Sequence, residues 1–361
     1  MHVDADGLGS GAVPQTVCTF DEEINDDSSA SDIGTDAILE YLNRSGLGIK
    51  GRDVGKGELL DSLNLVAGPQ RKPVNVALIM FSYEPERFIP GCRIELVEKL
   101  STDGVGPLTT VFGGPVDSQL RRVLQTIGNG VVKRRITKVG WQPEAIKFWN
   151  YPHEVLEEAI VNAVCYKDFS VGRPVEIIVT PQEVRIATYP YISPGMSGKG
   201  TEDVDPGSFV IRNRRLADLL SRLDLVCSGD IGVSDTRESL VRNYSPMPEY
   251  RMDWDLGRLE IVFRLHPAFR NGVSCTDLIP MEAFIVSMLG ACGCMTTGEI
   301  SEELGCRKIT ASVRKAIRTL MEEGRVEYLY PDNPRDPRQR ICLKKDTSEG
   351  KTRIVHRRST S

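Results

Sequence analysis

The run NYPHEVLEEAIVNAVCYKDF, Asn150 to Phe169, constrains the fold more than any other stretch of the 361-residue chain. Tyr151-Pro152 opens a helix, because proline lacks only an amide hydrogen that a first turn leaves unused. Glu154 and Glu157 suit the positive end of the helix dipole. Val155, Leu156, Ala159, Ile160, Ala163 and Val164 then make a broad apolar face that must pack against a sheet or other helices. Glu158 and Asn162 lie one turn apart and project side by side. An unpaired buried amide costs on the order of 1–3 kcal/mol, so Asn162 requires a protein partner or a ligand.

Two or three domains are expected at this length. With 40% hydrophobic and 26% charged residues, the composition excludes collagen-like, disordered and membrane classes. The net charge of −5 conceals an asymmetry: no Lys or Arg precedes Arg44, where Asp4, Asp6, Asp21, Glu22, Glu23, Asp26 and Asp27 fall, whereas Lys344 to Arg358 is mostly basic. No apolar run approaches the ~20 residues of a membrane span, and no signal-peptide pattern opens the chain, so a cytoplasmic location without membrane contact is expected. Nine cysteines, an odd number scattered along the chain, fit reduced thiols better than a disulfide framework. In the one cluster, Cys292, Cys294 and Cys306, the Cys-Gly-Cys spacing is too short for a zinc pair, and small core residues are the better reading.

Residues 1–36 read as an acidic disordered tail. A mixed α/β linking region, 37–142, follows: helices in DAILEYLNRSG and KGELLDSLNLV, a buried strand in VNVALIMFSYEPERFIPG, a strand in CRIELVEKL, and helical spacing at Leu120, Val123, Leu124 and Ile127. Residues 143–272 hold the Asn162 helix, alternating strands PVEIIVT and EVRIATYP, a Gly- and Pro-rich stretch, the helix NRRLADLLSRLDLV, the loop CSGDIGVSD and the strand RLEIVFRL. Over 278–345, three helices are expected in MEAFIVSMLGACG, in TTGEISEEL with Thr296 or Thr297 as cap, and in RKITASVRKAIRTLMEEG. The strands RVEYLY and RQRICLKK complete a winged helix-turn-helix, and 346–361 is a basic tail.

In that unit the third helix would enter the major groove of DNA, with Arg307, Lys308, Thr310, Ser312, Arg314 and Lys315 as candidates for base or phosphate contacts. Arg335, Arg338 and Arg340 would grip the backbone from the wing. The same fold also serves protein contact or dimerisation.

These motifs in this order, with the E-x-x-x-N spacing of Glu158 and Asn162, resemble the divergent GHKL domain (the Bergerat fold of histidine kinases, gyrase and Hsp90) found in Schlafen-AlbA-associated, RecG-like proteins. The resemblance covers most of the chain and implies an α/β (α+β) fold class: a GHKL α/β sandwich followed by a winged helix. It implies ATP and Mg²⁺ as cofactors, with Glu158 activating or orienting the attacking water and Asn162 coordinating the metal. Pro190, Tyr191, Arg212, Asn213, Gly229 and Gly232 would surround the nucleotide. Magnesium keeps several waters and takes phosphate oxygens, so one amide oxygen suffices from the protein.

Departures bear on activity. Tyr191 stands where the family has glycine, Asp230 enters the second glycine motif, and Tyr166-Lys167-Asp168 replaces His-Arg-Asp. PGMSGKGT, from Pro194 to Thr201, fails the Walker spacing, so no helicase motor is expected. The AlbA-type domain that usually precedes such proteins is missing; TFDEEINDDSSASDI resembles its edge, as in a shortened version or a natural fragment. The resulting expectation is an ATP-binding, nucleotide-sensing transcriptional regulator with at most weak ATPase activity, binding DNA through its winged helix, and a homodimer is compatible with it. The alternatives are an active Mg-dependent ATPase in nucleic-acid processing or defence, and a nucleotide-free repressor or scaffold.

Overall fold

The computed structural model describes residues 19–47, 54–99, 106–138, 145–193, 196, 198, 201–204, 208–209, 211–225, 237–269, 281–306, 308–334 and 336–344. The elements are α1 (Thr35–Arg44), α2 (Lys56–Ser62), β1 (Val66–Ala67), β2 (Lys72–Pro73), α3 (Asn75–Phe81), β3 (Ile94–Glu98), β4 (Leu108–Phe112) and α4 (Val116–Gly130). They continue with β5 (Arg134–Lys138), β6 (Ala145–Trp149), α5 (His153–Cys165), β7 (Val175–Val179), β8 (Glu183–Thr188), β9 (Thr201–Asp203), α6 (Arg214–Ser221) and α7 (Arg237–Arg242). The chain closes through β10 (Glu249–Asp253), β11 (Arg258–Arg264), α8 (Met281–Cys292), α9 (Thr297–Glu303), α10 (Ala311–Glu322), β12 (Val326–Tyr328) and β13 (Ile341–Leu343).

The fold is mixed α/β. A seven-stranded sheet has the order β4-β3-β7-β8-β11-β10-β9, parallel only between β3 and β7. Register aligns Leu96, Ile177, Ile186 and Ile261 across four strands, and all four are fully buried. Each such side chain contributes roughly 1.5–3 kcal/mol on burial, which fixes that face as the one covered by helices. The opposite face is charged. Arg258 pairs with Glu176 at 2.8 Å and Glu260 at 2.6 Å, and Arg264 with Glu183 at 2.6 Å and Glu249 at 2.9 Å. These pairs are partly solvated and add little stability each; they keep the open face wet, as an antiparallel sheet requires.

Residues 19–36 of the expected tail are ordered, and the rest of it lies outside the described residues. Asp21 is fully buried: its carboxylate accepts the Leu216 amide of α6 at 3.1 Å and the Thr19 hydroxyl at 2.5 Å. Asn75 holds the same segment, donating to the Phe20 carbonyl at 2.9 Å. Acidic composition suggested disorder because a carboxylate capping a helix 195 residues away leaves no local trace. The VNVALIM strand is also corrected: it forms α3, all seven of whose residues are buried. A short apolar run buried all round has no period to separate helix from strand. The short β4, β9 and β10, the β5–β6 hairpin and α7 were not expected as elements.

In the C-terminal part, α8, α9 and α10 are followed by the β12–β13 hairpin. Phe284, Ile285, Met288, Leu289, Ile300, Val313, Ile317 and Leu320 form a second apolar core. Thr296 caps α9, accepting the Glu299 amide at 3.1 Å while the Glu299 carboxylate accepts the Thr296 amide at 2.7 Å. The expectation of reduced thiols fails here: Cys294 and Cys342 form a disulfide. Antiparallel pairing of Met295 with Ile341 brings β13 beside the α8–α9 link, so two cysteines 48 residues apart meet. Cys92, Cys292 and Cys306 are free thiols. Among the described residues no helix is long and apolar enough to cross a membrane.

Asp21→Ala should lower the unfolding free energy by about 1–2 kcal/mol and Asp21→Asn by less, because the amide oxygen still accepts from α6. Burial raises the Asp21 pKa, so its ionised form carries a cost at neutral pH that protonation relieves. Denaturant titrations should therefore show the balance shifting toward wild type, relative to Asp21→Asn, as pH falls through that raised value.

Candidate functional site

Helix α5 has nine of its thirteen residues buried, its last seven among them, so water cannot satisfy its C-terminal end. Ahead of the helix, the Asn150 side chain holds the incoming segment, donating to the Val131 carbonyl at 2.8 Å and accepting the Lys133 and Tyr151 amides at 2.5 and 3.0 Å. At its end, the Thr188 hydroxyl donates to the Ala163 carbonyl at 2.7 Å, and Asn213 donates to the Cys165 and Lys167 carbonyls at 2.9 and 2.7 Å. Side chains thus replace the backbone partners that the last turn lacks.

The residues expected around a nucleotide converge on this C-terminal end. Lys167 bridges to Pro190, and the Asp168 amide donates to the Tyr189 carbonyl at 2.7 Å. The Arg212 guanidinium lies 3.8 Å from the centre of the Tyr191 ring, a cation–π contact, and Asn213 sits at the N-terminus of α6. Asn162 is fully buried, and the carboxylate oxygens of Glu158, one turn earlier, are shielded from solvent. Gly229, Asp230, Gly232 and most of the PGMSGKGT stretch lie outside the described residues.

In this arrangement the described residues do not fit Mg·ATP. A magnesium site needs an amide oxygen with room for waters and phosphate, and Asn162 is wholly enclosed. The Asn213 amide hydrogens are committed to carbonyls, and Arg212 rests on the tyrosine that replaces the family's glycine. Among the described residues, no group of three or more His, Cys, Asp or Glu side chains is gathered as a metal site would need.

Lys167 is the unusual titratable group here. It is almost fully buried, its Nζ donates to the Asp168 carbonyl at 3.2 Å, and it lies 4.7 Å from the Phe169 ring centre. Burial pushes its pKa down to about 8, and the Cys92 thiol nearby is raised to about 12 by the same cause.

The residues expected at DNA separate into two groups. On α10, Val313, Ala316, Ile317 and Leu320 are buried, and Ser312, Arg314 and Lys315 are exposed on the other side, preceded by exposed Lys308. Arg318, not singled out from the sequence, is exposed on the same stripe; its i+4 spacing from Arg314 and i+3 from Lys315 was the available signal. Thr310 caps α10, accepting the Val313 amide at 3.3 Å. The residues expected on a wing are engaged internally: Arg338 pairs with Asp336 at 3.2 Å, and Arg340 donates to the Cys294 carbonyl at 2.9 Å and pairs with Glu299 at 3.3 Å. Arg307 and Arg335 lie outside the described residues.

No family model matches the sequence, and no curated protein matches it significantly. Among solved structures, the DIP2311 protein from Corynebacterium diphtheriae aligns over 83% of this chain at 15% identity with a TM-score of 0.48. The alignment spans 60% of that protein's chain.

Lys167→Met should stabilise the fold at neutral pH. Between about pH 8 and the ordinary lysine range, folded Lys167 is neutral while the unfolded chain still binds the proton, so wild-type stability rises with pH across that window. The advantage of Lys167→Met in denaturant titrations should accordingly shrink between pH 8 and about 10.5.

Proposed function

We propose that the protein is a DNA-binding transcriptional regulator in which α8 to β13 act as a winged helix-turn-helix and α10 is the recognition helix. One observation carries this reading: Arg314, Lys315 and Arg318 form an exposed stripe opposite the buried face of α10, and no carboxylate among the described residues pairs with them. Cations left unpaired in a chain of net charge −5 are matched to a polyanion. Arginine on a helix of groove-fitting width can also read guanine edges in the major groove. Arg338 and Arg340, held by Asp336 and Glu299, serve in this reading to shape the wing rather than to grip phosphates.

A second reading makes the α5 unit a GHKL-like nucleotide sensor coupled to the DNA-binding part. Convergence of Pro190, Tyr191, Arg212 and Asn213 on the C-terminal end of α5, the helix that carries Glu158 and Asn162, favours it. It requires the Arg212–Tyr191 contact to open and Asn162 to become accessible. Calorimetric titration with Mg·ATP separates the roles: binding lost in Asn162→Ala marks a sensor, turnover sensitive to that change marks an ATPase, and no binding leaves a nucleotide-free repressor.

Anisotropy of a labelled duplex about two helical turns long should show salt-dependent binding. Arg314→Ala with Lys315→Ala should weaken it at least about ten-fold and flatten the salt slope by about 2. Binding unchanged in the double variant would assign this unit to protein contact instead.

A further inference from the structure

The β5–β6 hairpin belongs neither to the seven-stranded sheet nor to the C-terminal hairpin. Its span from Lys133 to Trp149, KRRITKVGWQPEAIKFW, holds five basic residues against the single acid Glu144. Register pairs Arg134 with Trp149 and Ile136 with Lys147. Side chains alternate along a strand, so Arg134, Lys147 and Trp149 share the face opposite the fully buried Phe148. Lys133, Arg134 and Lys147 are exposed, and Trp149 keeps 40% of its surface open to solvent.

Two further observations make this face a built one. The Arg134 guanidinium stands 5.9 Å from the centre of the Trp149 ring. The Trp149 backbone is fixed by the buried side chain of Asn243, which accepts its amide and donates to its carbonyl, both at 2.8 Å. The indole is thus presented on a rigid support. No carboxylate among the described residues forms an ion pair with Lys133, Arg134 or Lys147.

We propose that this face binds single-stranded nucleic acid, with a base stacked on Trp149 and phosphates neutralised by Lys133, Arg134 and Lys147. An exposed indole beside an arginine offers a π surface and a cation, the pair of interactions that a single strand supplies from its bases and backbone. A duplex keeps its base faces inside the stack and can use only the cations, so the tryptophan selects the single strand. The surface is distinct from α10, and the inference stands independently of the duplex-binding reading.

The test is anisotropy of a labelled oligothymidylate about 15 nucleotides long, a length that fits typical single-strand sites, titrated with the full chain. Saturable binding that weakens with salt is expected. Trp149→Ala should weaken it about ten-fold or more, Trp149→Phe should stay within about three-fold, and Lys147→Glu should lower affinity several-fold. Arg314→Ala with Lys315→Ala should leave it in place, which separates failure here from failure of the α10 reading. Absence of saturable binding, or affinity unchanged in both Trp149→Ala and Lys147→Glu, would overturn the proposal. Should Trp149→Ala unfold, Lys147→Glu at an exposed position decides alone, and unchanged affinity there rejects it.

Discussion

A helix whose last seven residues are all buried has no water at its C-terminal end, and that constraint organises this protein. Two side chains close the C-terminal end of α5: Thr188 and Asn213. Thr188 belongs to β8 and Asn213 opens α6, so satisfying the helix also ties that strand and that helix to it. A low-dielectric surrounding makes each bond stronger and each vacancy more costly, so these side chains specify one arrangement rather than merely adding stability. Asn162 sits within this closed system, which is why its burial bears directly on whether a nucleotide can reach it.

The same economy of contacts ties β6 to the C-terminal core. Phe148 of β6 stacks on His266 at 5.1 Å and meets Phe284 of α8 edge-on at 5.5 Å, while Tyr244 lies 4.5 Å from Phe284. Its strand neighbours Lys147 and Trp149 face solvent. One strand therefore packs against the C-terminal helices on one side and displays a cationic, aromatic surface on the other. The ring cluster is thus a packed contact between α8 and the hairpin, and so between the units that carry the two proposed nucleic-acid surfaces.

How much of this was legible depended on whether the determining contact was local. The period of Val155 to Val164 gave α5, alternation gave β7, β8 and β11, and Thr296 with Glu299 marked the start of α9. The convergence of Pro190, Tyr191, Arg212 and Asn213 on one helix end followed from order and motif, but the commitment of Asn213 to two carbonyls did not. Long-range pairing hid the rest. Asp21 caps a helix far along the chain, Cys294 finds Cys342 only through the hairpin return, and α3 is buried too uniformly to show a period. Arg338 and Arg340 read as free cations in sequence because their pairing with Asp336 and Glu299 is set by the folded β12–β13 hairpin and α9.

The central claim is that α10 is the surface that meets duplex DNA. Hydrogen–deuterium exchange of the full chain with and without a duplex about two turns long tests it without any substitution. The account predicts protection concentrated in the first turns of α10 and in the β12–β13 hairpin, with α5 and the segments that close it unchanged. Protection confined to other segments, with α10 exchanging as in the free protein, would contradict it.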